Sequence, residues 1–168
     1  KIAAGHTSAD KNAPLKISFG DFRLETFSGM MINKELLVGG VMNGEVIIEK
    51  QGKQRDFRSD LTIQSLQYMG VAIGDLTLKA DNFTDPSVYD VLLTVAGNGN
   101  DLKVDGSYNT SAGKNKLDLS LFVRRLNLAS VEPFAGGEVT QLSGWISGEL
   151  SILGEPLMPK LKGTLNMH

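Results

Sequence analysis

Hydrophobic and polar residues alternate along most of this chain. Between Lys116 and Arg124, Leu117, Leu119, Leu121 and Val123 fall on one side of an extended backbone, and Lys116, Asp118, Ser120 and Arg124 on the other, with Phe122 alone breaking the polar set. Strand side chains point to opposite faces with a period of two, so this pattern describes a strand with one dry and one wet face; a helix cannot segregate it. The same period sets Leu102, Val104, Gly106 and Tyr108 opposite Asp101, Lys103, Asp105 and Ser107. Further strands are expected at Phe57 to Gln64, Val71 to Ala80 and Val88 to Ala96. Turn-forming residues separate them at 81–86, 97–100 and 109–113. Counted this way the chain holds roughly ten or eleven strands, and the fold class is all-β.

Helical signals are few. Ala129 to Ala135 reads as one short helix, with Ser130 as cap, Pro133 in the first turn and Gly136-Gly137 as terminator, placed to plug an end or a corner. Asn33 to Leu37 is the other ambiguous stretch. A small element recurs at irregular spacing: glycine, then an acid or Thr, then two hydrophobic residues flanking a third. It appears at Gly20-Asp21-Phe22-Arg23-Leu24, Gly44-Glu45-Val46-Ile47-Ile48, Gly74-Asp75-Leu76-Thr77-Leu78, Gly148-Glu149-Leu150-Ser151-Ile152 and Gly163-Thr164-Leu165-Asn166-Met167. The spacing excludes a fixed-period solenoid, and the simple expectation is that each glycine opens a strand after a turn.

Composition narrows the chemistry. At 168 residues the chain suits one domain or one slice of a longer repetitive body, here taken as a single β-rich segment over 1–168 with 1–14 a boundary or flexible region. It opens on Lys1 and closes on a strand-like pattern, so both ends are expected to be boundaries inside a longer protein. Lys and Arg total 17 against 19 acids, which argues for neither nucleic acid nor an anionic surface as partner. There is no cysteine, and histidine occurs only as His6 and His168, so no Ser/His/Asp or Cys/His constellation can be assembled. No nucleophile elbow, phosphate loop or zinc helix motif is present. The carboxylate pairs Asp101 with Asp105 and Glu45 with Glu49 alternate with hydrophobic residues and read as solvated charges. The turn Gly97-Asn98-Gly99-Asn100-Asp101 offers calcium-like ligands, but once, and reads as a hairpin. Trp145 stands alone among glycines, as core or rim packing or as a sugar-stacking platform. The expectation is a protein that is no enzyme and carries no metal or cofactor.

The stretch from Leu142 to Leu165 contains G-x-L-x-[IV]-x-G at 148–154 followed by P-x-L-x-G-x-L at 159–165. Together with Asn100 to Tyr108 and with Leu126-Asn127-Leu128 through Glu132-Pro133-Phe134, it resembles the TamB family of translocation and assembly module proteins, related to the AsmA-like group. The resemblance runs from about Phe19 onward and is strongest after Asp101. It implies a slice of a long periplasmic protein of a Gram-negative bacterium, anchored in the inner membrane and reaching towards an outer-membrane partner of the Omp85 class. It also implies a curled antiparallel or mixed sheet, a β-taco, whose concave groove takes phospholipid acyl chains or outer-membrane protein clients. The groove lining expected from the period of two is Phe22, Leu24, Val46, Ile48, Leu61, Ile63, Leu76, Leu78, Val91, Leu93 and Val95. It continues through Leu102, Val104, Leu117, Leu119, Leu121, Leu150, Ile152, Leu165 and Met167. The competing expectations are a structural spacer with a closed core and a lipocalin-like or carbohydrate-binding envelope module.

Overall fold

The alternating segments become ten strands in the computed structural model, which describes residues 2–6, 13–28, 38–51, 54–111, 116–135 and 141–168. They are β1 (Ile2–His6), β2 (Leu15–Arg23), β3 (Val38–Gln51), β4 (Gln54–Tyr68), β5 (Val71–Asp85), β6 (Val88–Gly97), β7 (Asn100–Asn109), β8 (Lys116–Asn127), β9 (Trp145–Glu155) and β10 (Met158–Met167). Each strand pairs antiparallel with its sequence neighbour, so one sheet runs in the order β1 to β10 and no parallel pair occurs among the described residues. The sheet is not closed: β1 and β10 are its two edges. A closed lipocalin-like barrel is thereby excluded. Ile2–His6, expected within a boundary region, forms β1 because its residues find register partners from Leu15 to Phe19.

Tight turns make the meander possible. Asn98 and Gly99, and likewise Met69 and Gly70, carry positive φ at both central positions (50° and 83°, 49° and 80°). That twist matches the right-handed twist of the flanking strands in two-residue hairpins. The turn expected at 81–86 is smaller than its composition suggests, because β5 continues to Asp85 through a register shift. Asn82 explains the shift. It is 1% exposed, its Oδ1 accepts from the Phe57 N–H at 2.6 Å, and its Nδ2 donates to the carbonyls of Arg55 (2.9 Å) and Pro86 (3.0 Å). A side-chain amide thus replaces ladder bonds that the irregular backbone leaves open.

The recurrent glycines do not open strands, contrary to expectation. Gly44, Gly74, Gly148 and Gly163 lie inside β3, β5, β9 and β10 with φ between 124° and 145°. Gly106 in β7 shows the reason: φ is 146°, and a Cβ there would run into the Asp118 carbonyl of β8. Only glycine permits that backbone at that approach.

Helical content among the described residues is limited to α1 (Glu25–Ser28) and two 3₁₀ turns, Leu128–Ser130 and Glu132–Ala135. The single helix expected over 129–135 is therefore a pair of 3₁₀ turns. Asn127, not Ser130, caps the first, accepting from the Ala129 N–H at 3.1 Å. Gly136, Gly137 and the stretch Asn33 to Leu37 lie outside the described residues. No described helix is long and apolar enough to cross a membrane.

Candidate functional site

Register partners in an antiparallel sheet share a face, so the pairing defines what each face presents. One row reads Ile2, Phe19, Gly44, Leu61, Leu78, Leu93, Val104, Leu121, Leu150 and Gly163, crossing all ten strands without a charged residue. A second reads Phe22, Met42, Ile63, Leu76, Val95, Leu102, Val123, Gly148 and Leu165. A third runs from Ile17 through Val46, Ser59, Ala80, Val91, Gly106, Leu119 and Ile152 to Leu161. Ile48 pairs with Phe57, Tyr108 with Leu117, and Met167 with Ile146, on the same face. Of the residues expected inward, Leu24 stands apart: it lies one residue past β2, buried, with its N–H bonded to the Gly40 carbonyl.

The opposite face is polar. Lys16 bonds Glu45 (2.6 Å), Lys79 bonds Asp60 (3.5 Å), Lys103 bonds Asp105 (2.6 Å) and Arg124 bonds Asp101 (3.3 Å). Asp101, Asp105 and Glu45 are thus half-exposed ion-pair members. A shallow depression of about 730 Å³ on this face is lined by Lys79, Asp81, Asp90, Asp105, Asp118 and Phe122 among others. The hydrocarbon face has a different character: along the interior strands its large side chains are mostly half-buried, by their own neighbours. Among the described residues only Phe22, Leu24, Val95 and Val123 are buried hydrophobic residues, and no second layer of strands covers the rows.

Two buried asparagines, neither legible as more than a turn residue in sequence, tie the ends of this face. Asn82 holds β4, β5 and the turn into β6 at one end, where Phe57 meets Tyr89 at 5.7 Å between ring centroids. At the other end Asn100, 4% exposed, donates to the Ile73 carbonyl (2.7 Å) and Ser130 Oγ (2.9 Å) and accepts from the Asn127 N–H (2.9 Å). Through it the segment 128–135 reaches back from β8 over the strand ends, and Phe134 stacks on Tyr68 of β4 at 4.5 Å. The segment is a strap across one end.

Elsewhere, the Glu25 carboxylate accepts from the Gly40 N–H at 3.1 Å. Its own backbone N–H and that of Gly40 hold its pKa below the ordinary carboxylate range, assisted by Arg23 and opposed by desolvation. Trp145 stacks on His168 at 3.9 Å, with Arg125 5.1 Å from the ring centroid, so ring contacts within the chain occupy it. No cluster of three or more metal-ligating side chains exists among the described residues. Comparison with protein-family models, curated proteins and solved structures returned no match to this chain.

Proposed function

We propose that this chain is a segment of a bacterial envelope protein of the TamB and AsmA-like kind, and that its hydrocarbon face works as a groove without covalent chemistry. In this reading the groove carries phospholipid acyl chains across the periplasm, or shelters clients bound for the outer membrane beside an Omp85-class partner. One observation supports it above others: hydrocarbon rows continue across the sheet with no charged side chain in them and, among the described residues, no covering layer. A sheet face of this extent is an interaction surface rather than ordinary exterior. Each methylene laid on it gains about 0.8 kcal/mol. Because the face is open rather than a closed pocket, acyl chains would lie along it.

The test compares inward and outward substitutions on the same strands. Leu119→Arg and Leu150→Arg are expected to leave the segment folded, since the guanidinium can extend away from an uncovered face, while abolishing recovery of phospholipid with the purified protein by mass spectrometry. Asp118→Ser and Ser151→Ala should change neither. A spacer with a closed core predicts the opposite: both Arg variants unfold, because a charge in a packed interior is left without water or partner. Phospholipid absent from the wild-type protein as well as the variants would overturn the lipid reading.

A further inference from the structure

Burial on the hydrocarbon face rises towards the strap. On β6, β7 and β8 the row of Leu93, Val104 and Leu121 is half-buried. One row nearer the strap, Leu102 lies between Val95 and Val123, and these two valines are 6% and 5% exposed. Asn100 holds the next same-face position along β7 beyond Leu102, and its amide donates to the Ser130 hydroxyl of the strap at 2.9 Å. The first 3₁₀ turn packs against β5, and Phe134 stacks on Tyr68 of β4, whose register partners are Val38 and Val71. The strap therefore lies on the hydrocarbon side of the sheet, at the margin formed by Val95, Leu102 and Val123.

What fastens the strap is largely polar. Ser130 is the one buried residue of its two 3₁₀ turns, and Phe134 stays 63% exposed although it stacks. The Asn100 amide ties it through Ser130 and through the Asn127 N–H, which donates to Asn100 Oδ1. Hydrogen bonds of this kind exchange for bonds to water at small net loss, and an element with few buried hydrophobic contacts opens more easily than the sheet it rests on. The row beneath has the opposite chemistry. Its side chains are all hydrocarbon, and β6, β7 and β8 each have strand partners on both sides, so the row offers methyl groups rather than free backbone amides. An alkyl chain matches that surface.

We propose that the strap 128–135 is a lid over the row of Val95, Leu102 and Val123, which lifts to admit the end of an alkyl chain and closes over the row when the chain is absent. Closed, the strap keeps water off this margin. Lifted, it yields the margin to the same chain that the open rows take, so lid and ligand compete for one surface. The ligand shifts the strap towards the lifted state because it binds that state better. This inference rests on the reading of the hydrocarbon face as a groove for alkyl chains.

The experiment photolyses the full chain with dodecanoic acid carrying a diazirine on its terminal carbon and reads the labelled residues by mass spectrometry. The chain has no cysteine, so Tyr68→Cys with Phe134→Cys, at positions whose rings stack 4.5 Å apart, makes a clamp that oxidation closes and reductant releases. Label on Val95, Leu102 and Val123 should be lost on oxidation and return on reduction, while label on Leu93, Val104 and Leu121 stays as it was. Ser130→Ala with Phe134→Ser, both within the strap, should raise label on the first three residues above wild type and leave the second three unchanged. Label on the margin row that responds to neither the clamp nor the strap substitutions, with the open rows still labelled, would overturn the lid and leave the groove reading standing. Label absent from both rows in every form would overturn the two together.

Discussion

Single residues decide where this sheet bends and where it is tied. Gly106 makes the sharpest case, since its φ of 146° and the approach of the Asp118 carbonyl leave no room for a Cβ. Gly106→Ala is expected to destabilise the segment by about 1–3 kcal/mol, the usual range for a residue forced into a sparsely allowed backbone. Gly20→Ala, where a Cβ meets nothing within 4 Å, should be nearly silent. Chemical denaturation of the two variants checks this. Glu25 makes a second prediction, in pH. Its folded pKa is lowered, so its contribution is present above the unfolded carboxylate pKa and is lost as pH falls through the folded value. The Gly40 amide should therefore keep its exchange protection at neutral pH and lose it on acidification, and in Glu25→Gln that acid-dependent change should vanish. Neither residue could be assigned its role from sequence. A glycine inside a strand looks the same as one at its start, and the bond from Glu25 to Gly40 spans a stretch with no repeating pattern.

At the scale of elements, the period of two was enough to read the strands and which residues of β6, β7 and β8 share a face, because alternation repeats over many residues and errors at one position do not propagate. Irregular elements were less legible. The stretch 81–86 is rich in turn formers, yet the Asn82 amide keeps β5 going by supplying bonds that composition does not reveal. The strap 128–135 is two 3₁₀ turns rather than a helix, because tertiary bonds from Asn100 hold it where local propensity is weak. Asn100→Ala leaves the buried Ser130 hydroxyl, the Ile73 carbonyl and the Asn127 N–H without this partner. A loss of about 1–3 kcal/mol is expected, with hydrogen exchange accelerating first in 128–135 and only later in β7. Exchange that rises uniformly across the sheet would mean the strap is no separate unit.

For the whole molecule, the governing fact is that every described strand after β1 pairs with the strand before it. Which residues make up each of the two faces was legible in outline, since charge and hydrocarbon segregate so cleanly, whereas the identity of the edges was not, because alternation says nothing of which strand comes last in space. The connectivity also bears on how the chain is made. A strand emerging from the ribosome finds its partner already in place, with nothing left waiting for a distant segment still to be synthesised; such local pairing is the kind that avoids slow loop closure. The strap, a longer-range piece, touches β4, β5 and β7, all of which precede it in the chain. Assembly can therefore keep pace with translation, each described hairpin laid down against the last, so that the growing sheet offers each new strand a single ready-made template, the strand completed just before it.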